Sequence, residues 1–183
     1  MNQISIQCHK TDVGELILGS FWGKLCLLDF RYGKMRRIVD EKIKKGLNAE
    51  FVEHDDEILE KTRRQLDEYF RGLRRKFDIP VLMVGTDFQK SVWNVLMKVP
   101  YGGTSTYLQL AKDVGNERAV RAVGNAMAAN PIGIIVPCHR IIGSGGELVG
   151  YGGGLPVKRR LLDLERNNTH ACDLQMEAPK RYR

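Results

Sequence analysis

The chain has 183 residues, 43% hydrophobic and 28% charged, with a net charge of +7 at pH 7, room for one domain or two small ones. The opening MNQISIQCHK lacks the basic-then-apolar layout of a signal peptide, and no apolar run reaches membrane-spanning length; no membrane role and an intracellular, cytoplasmic location are expected. Residues 1–85 carry 16 basic and 14 acidic side chains and residues 86–183 carry 13 and 8, so the surplus sits in the second half and favours an anionic partner there.

The first third reads as strands. ISIQCHK and GELILGSFWGKLCLLDF hold β-rich runs broken at Gly19–Gly23, a hairpin or meander. The lysine-rich DEKIKKGLNAE is expected to be a loop. In DDEILEKTRRQLDEYFRGLRRKF, Ile58, Thr62, Leu66, Tyr69, Leu73 and Phe77 recur at three- and four-residue steps, which predicts a helix. Its acidic start and basic end suit the helix dipole, and its arginines read as a solvated face. DIPVLMVG, 78–85, closes this unit as a strand or linker, and the domain boundary falls near residue 85.

Thr86 caps a new helix over DFQKSVWNVLMKV, ended by Pro100–Gly103. Next, in TSTYLQLAKDVGNERAVRAVGNAMAAN, Ser105 or Thr104 caps a short helix through Asp113, and Gly115–Asn116 supply a tight turn. A second helix from about Glu117 to Ala128 follows, making a helix-turn-helix candidate. Val120, Val123 and Met127 share its inner side; Arg121, Gly124, Asn125 and Ala128 share the other. Apart from the arginine, that outer face is small and allows close approach to a surface, DNA or another helix. PIGIIVP reads as a β-branched strand ended by proline. Beyond about Asn168, THACDLQMEAPKRYR is polar and aperiodic and is expected to be a loose tail, giving 1–85, 86–168 and 169–183 as the organisation.

Cys8, Cys26, Cys138 and Cys172 are scattered, with no C-x-x-C pair, which argues against a disulfide framework or zinc ribbon. Cys8, His9, Cys26 and His54 are the one set with a path to convergence. Adjacent residues on a strand point to opposite faces, so no metal is expected there. Cys138 stands at the end of the apolar run and before a loop with seven glycines between residues 143 and 154. That loop has neither a P-loop nor a dinucleotide spacing, so no nucleotide cofactor is expected. A reactive cysteine needs a base; His139 adjoins it and Glu165 on the following helix could orient the imidazole, through a turn or a bridging water. On the residues alone, nucleophile and inert buried cysteine both stay open.

VPCHRI, followed by GYGGGL and preceded by RAVGNAMAANP, resembles the O6-alkylguanine-DNA alkyltransferases, the methylated-DNA–protein-cysteine methyltransferases. The resemblance is close over roughly 86–166 and looser over the N-terminal half. It implies an α+β fold: a small strand-rich, ribonuclease-H-like N-terminal domain and a mainly helical C-terminal domain with a helix-turn-helix and the PCHR motif. It implies a DNA repair protein that flips an O6-alkylguanine out of double-stranded DNA and moves the alkyl group irreversibly onto Cys138, once per molecule and without a cofactor; O4-alkylthymine is a second candidate lesion.

The resemblance also distributes roles. Cys138 attacks, His139 takes its proton through a water, Glu165 orients His139, Asn130 holds the turn carrying the cysteine, and Tyr107 protonates the leaving base. Met127, Tyr151, Gly152 and Gly153 line the substrate pocket. Arg121 fills the gap left by the flipped nucleotide as Gly124 and Asn125 approach the minor groove, and Gln89, Leu108, Asn116 and Ser144 contact phosphates. A monomer is expected. A turning-over cysteine hydrolase, a non-catalytic lesion-binding relative and a helix-turn-helix regulator are the rival readings.

Overall fold

The computed structural model describes the chain from Asn2 to Met176, with side chains as far as Thr169. Strands β1 (Asn2–Thr11), β2 (Gly14–Phe21) and β3 (Lys24–Phe30) form the anticipated antiparallel meander. Strand β4 (Ala49–Glu53) lies parallel to β1, giving the order β3-β2-β1-β4. Helix α1 (Arg36–Leu47) covers one face, where Ile4, Phe21, Cys26, Leu27, Val39 and Ile43 are buried together. Helix α2 (Glu57–Phe70) covers the other, where Leu16, Leu18, Leu25 and Leu28 meet Leu59, Leu66 and Tyr69. A sheet buried on both faces accounts for the uninterrupted apolar run in β3.

Several expectations need correction here. The lysine-rich segment is no loop but α1 and β4: Met35, Val39, Ile43 and Leu47 recur every four residues, a stripe too narrow to stand out among the lysines, and Asn48 ends the helix with φ 47°. Helix α2 stops at Phe70, because Gly72 takes φ +74° and the Leu73 N–H turns back to Glu68 O at 2.8 Å. Leu73 is therefore 68% exposed, whereas Phe77 folds back against Tyr69. PIGIIVP is a run of turns rather than a strand. Finally, the tail expected from 169 begins as helix: α6 runs Leu155–Met176, and 177–183 lie outside the described residues.

The C-terminal half holds α3 (Asp87–Leu96), β5 (Ser105–Thr106), α4 (Tyr107–Asp113), α5 (Val120–Ala128), β6 (Ile141–Ile142) and α6. Thr86 and Gln89 form a reciprocal capping box at the start of α3. Thr106, not Ser105 or Thr104, caps α4, since Ser105 and Thr106 first pair in parallel with Ile141 and Ile142. Gly115 makes the turn with φ +84°, and a 3-10 turn at Glu117–Ala119 leads into α5.

The outer edge of β3 joins the two halves. Leu25 exchanges backbone hydrogen bonds with Pro80 and Leu82 of the linker, at 2.8 Å each. Further along, the Leu28 N–H donates to Pro131 O at 2.8 Å and Leu28 O accepts from Gly133 N at 2.6 Å. The segment leading to Cys138 thus hangs on the N-terminal sheet and satisfies an edge that would otherwise stay unpaired.

Candidate active site around Cys138

Cys138 opens a single 3-10 turn, Cys138–Arg140, and the backbone before it is strained. Ile134, buried and β-branched, has φ +67°, a conformation such residues rarely take. Asn130 holds the strained turn from both sides: Nδ2 donates to Val136 O at 2.9 Å, and Oδ1 accepts from Ile132 N at 3.0 Å. Gly133 lies so close to Leu28 O that a Cβ would sit 3.3 Å from it, so its smallness serves the backbone contact with β3.

The thiol lines a cavity of about 500 Å³ walled by Tyr107 and Gly124 from the helix-turn-helix, Met127 and Ala128 from the end of α5, Gly150–Gly152 from the glycine-rich loop, and Lys34 and Met35 before α1. It is part-exposed, so a small group entering the cavity can reach it. Burial pushes its pKa up to about 11; the Asn130 hydrogen bond and the Lys158 charge pull it back, and Asp29 adds to the rise. The resting group is a thiol. A proton acceptor must act when substrate is present.

His139 follows Cys138 in sequence and carries a nitrogen that could accept a proton. It is fully buried, and its Nε2 pairs with Glu165 Oε1 at 2.8 Å. An Nε2–H donating to a carboxylate leaves Nδ1 as the basic nitrogen, and Nδ1 is buried with no protein partner. Burial lowers the His139 pKa, against the opposing pull of Glu165, so the imidazole is neutral at pH 7. Among the described residues no hydrogen bond joins the thiol to the ring directly.

Glu165 is the anchor. Its carboxylate also accepts from Tyr69 Oη at 2.7 Å, Gly102 N at 3.0 Å, Arg140 Nε at 2.9 Å and Arg140 Nη2 at 3.0 Å. Burial alone would raise its pKa, but the bonds from His139 and Arg140 hold it down to about 2. With His139 neutral, Arg140 provides the lasting counter-charge. Two turns earlier on α6, buried Lys158 donates to Ile141 O, Val149 O (2.7 Å) and Gly150 O (3.2 Å), which ties down the glycine-rich loop.

Tyr107 lines the cavity with its hydroxyl 3.2 Å from Val149 O, and burial raises its pKa. Tyr151 packs edge-on against both Phe30 and His139, with its hydroxyl buried and unpartnered. Among the described residues neither the Tyr151 nor the Gly152 N–H donates to a protein acceptor, so both remain available to an oxygen in the cavity. Gly153 lies against the Phe30 ring beside a smaller chamber.

On α5, Val123 and Met127 are buried and Val120 half-buried, while Arg121, Asn125 and Ala128 are exposed and Gly124 borders Tyr107. That is the anticipated division of faces. Leu108, Asn116 and Ser144 are exposed, and Asn116 Oδ1 caps the Glu117 turn. Gln89 is largely committed: Oε1 and its N–H both serve the α3 capping box, leaving Nε2. None of Gln89, Leu108, Asn116 and Ser144 borders the cavity. The possible zinc set does not assemble. Cys8 is exposed, Cys26 is buried donating to Gly19 O, and His9 pairs with Asp67 at 2.8 Å.

Sequence reasoning missed Arg140, Lys158, Tyr69 and Asp29. Arg140 belongs to the VPCHRI motif itself, and Lys158 precedes Glu165 by seven residues, hence shares its helix face. Tyr69 and Asp29 carry no comparable signal, being remote in sequence.

Comparison with known proteins gives the family of the chain. Residues 87–167 match the family described as 6-O-methylguanine DNA methyltransferase, DNA binding domain, and residues 9–83 match its ribonuclease-like domain. The chain is 43% identical over 159 residues to a methylated-DNA–protein-cysteine methyltransferase of Methanosarcina barkeri, spanning 87% of this chain and 95% of that one. It is 43% identical over 167 residues to the protein of that name from Mycobacterium leprae, spanning 88% and 93%. The crystal structure of Mycobacterium tuberculosis OGT in complex with DNA superposes with a TM-score of 0.77 at 35% identity, covering 90% of this chain and 94% of that one. The chain belongs to the 6-O-methylguanine DNA methyltransferase family, the methylated-DNA–protein-cysteine methyltransferases of DNA repair.

Proposed function

We propose that the cavity receives an O6-alkylguanine rotated out of duplex DNA, and that Cys138 removes the alkyl group by in-line displacement. The observation that carries this reading is a thiol on the wall of a base-sized cavity, beside a neutral histidine whose only uncommitted nitrogen is its basic one. The Cys138 proton passes through a water to His139 Nδ1, and Glu165 stabilises the imidazolium through Nε2–H. The S–C bond forms as the C–O6 bond breaks, and the bonding pair goes to the guanine, which Tyr107 protonates. The Tyr151 and Gly152 N–H groups receive the exocyclic oxygen. A thioether resists hydrolysis, so each molecule acts once.

A base inside a duplex is out of reach, so the nucleotide must leave the stack. The small outer face of α5 suits the minor groove, with Gly124 and Asn125 at close approach and Arg121 filling the vacated space. Leu108, Asn116, Ser144 and the Nε2 of Gln89 are positioned for phosphates. The protein acts as a monomer, within the cell, on O6-alkylguanine, with O4-alkylthymine as a second lesion. Replacing Cys138 with serine tests the reading. The variant is expected to bind methylated duplex and transfer nothing; transfer by the serine variant would exclude it. A cysteine hydrolase would instead need a deacylation step and turn over many times.

A further inference from the structure

Behind Cys138 the main cavity narrows into a second chamber of about 40 Å³. Met35, Met127, Ala128, Cys138, Tyr151 and Gly152 border both spaces, so they form the neck between them. The far wall comes from the N-terminal domain: Asp29 and Phe30 at the end of β3, then Gly33. The chamber holds a little more than one water-sized group, whose share of liquid volume is about 30 Å³.

Asp29 is the one ionisable side chain of that wall. Its Oδ1 accepts from the Phe30 N–H at 2.8 Å, and among the described residues its Oδ2 has no hydrogen-bond or ion-pair partner. Arg36, the nearest cation acting on it, pairs with Asp40 instead. Burial, only partly countered by the Phe30 N–H and Arg36, raises its pKa to about 6. At neutral pH it is a half-buried carboxylate on the chamber wall, with one oxygen free to accept a hydrogen bond from a donor that enters. Gly152 leaves it open: a Cβ there would lie 3.9 Å from Asp29 Oδ1.

In-line attack puts sulfur, the transferred carbon and O6 on one line. A second carbon must therefore leave that line sideways at Cys138, where the neck opens. A methyl group leaves the chamber unused. An ethyl group pushes a CH₃ against a carboxylate that cannot bond to it, whereas a 2-hydroxyethyl group brings an O–H donor. We propose that Asp29 makes this chamber a subsite for the terminal CH₂OH of O6-(2-hydroxyethyl)guanine, so that the protein prefers hydroxyalkyl lesions to alkyl lesions of the same length. This rests on the alkyl-transfer reading above and names its substrate class. The displacement itself is unchanged: sulfur gains the hydroxyethyl carbon, the C–O6 pair leaves with guanine, and the product is S-(2-hydroxyethyl)cysteine.

The test uses three duplexes identical except for O6-methyl, O6-ethyl or O6-(2-hydroxyethyl) at one guanine, and single-turnover transfer at pH 7.5. The intact chain is expected to process hydroxyethyl at least ~10-fold faster than ethyl, the worth of one hydrogen bond to a charged acceptor. Asp29→Leu is expected to bring that ratio to about 1 or below by removing the acceptor. Gly152→Ser, which puts its own hydroxyl beside Asp29, is expected to bring it close to 1 by occupying the chamber. Should the leucine variant not fold, Asp29→Asn carries the test with an expected fall of at least ~3-fold in the ratio. A ratio near 1 in the intact chain, or one unmoved by these substitutions, overturns the subsite. Methyl transfer separates the two levels: if methyl moves to Cys138 but the ratio is flat, only the subsite fails, and if no alkyl group moves, the functional reading fails with it.

Discussion

The Tyr69 hydroxyl donates to Glu165 Oε1 at 2.7 Å across 96 residues of sequence, joining the helix that backs the N-terminal sheet to the helix that backs the active site. Both residues are fully buried. The N-terminal domain therefore takes part in orienting His139, through a carboxylate shared between Tyr69 and the imidazole. Tyr69→Phe is expected to cost about 1–3 kcal/mol in urea unfolding, the penalty for leaving a buried acceptor short of a donor. Its effect on alkyl transfer is expected to be smaller than that of His139→Ala, since four of the five donors to Glu165 remain.

Glu165→Gln keeps the shape and removes the charge that compensates buried Arg140. The expected loss is about 3–5 kcal/mol, as for other broken buried ion pairs. The acid limb of stability gives a separate check. Because Glu165 is held at about 2 against an ordinary 4.5, its contribution is complete above pH 4.5 and disappears as pH falls toward 2. That limb, worth about 3 kcal/mol, should be missing from the glutamine variant when unfolding is followed between pH 5 and 2.

Cys138 acts at the alkaline end. Its folded pKa, about 11, lies above the unfolded 9.0, so the unfolded chain loses the proton first and stability falls as pH rises from 9 to 11. Cys138→Ala should lessen that slope by about 1.4 kcal/mol per pH unit relative to the intact chain. On the acid side, transfer should persist further down in pH than an ordinary histidine base would allow, because burial lowers the His139 pKa.

Lys158→Met leaves the Ile141, Val149 and Gly150 carbonyls without their shared donor. Exposed Glu147 lies within the loop they belong to, so cleavage there by a glutamyl endopeptidase is expected to speed up several-fold under native conditions. Unchanged cleavage would mean the loop is held by other contacts.

Arg121→Ala should lower the ratio of transfer rates from duplex and from free O6-alkylguanine base by at least ~10-fold, because only the duplex reaction includes extrusion. Equal losses on both substrates would remove Arg121 from that role.

Much of this arrangement was legible in the chain because local signals agreed with the global fold. The meander, the Thr86 cap, the Gly115 turn and the two-sided pattern of α5 each follow from spacing or turn chemistry alone. Expectations failed where tertiary contacts overrode such signals. β-branched PIGIIVP looks like a strand, yet pairing of Ile132 and its neighbours with β3 and the Asn130 bonds fold it into turns that aim the cysteine. Leu73 fits the α2 stripe, yet Gly72 ends the helix first. Cys138, His139 and Glu165 were readable because motif and helix spacing mark them. Tyr69, Asp29 and Met35 were not, because their place at the site comes from how the N-terminal sheet docks, which no local pattern encodes.

One thiol accepts one alkyl group and is spent. Intact mass and peptide mapping after incubation with a large excess of duplex containing O6-methylguanine measure this directly. A single mass increment of one CH₂ is expected, confined to the peptide carrying Cys138, with one guanine restored per protein molecule. Several guanines restored per molecule, or the increment found on another residue, would contradict it.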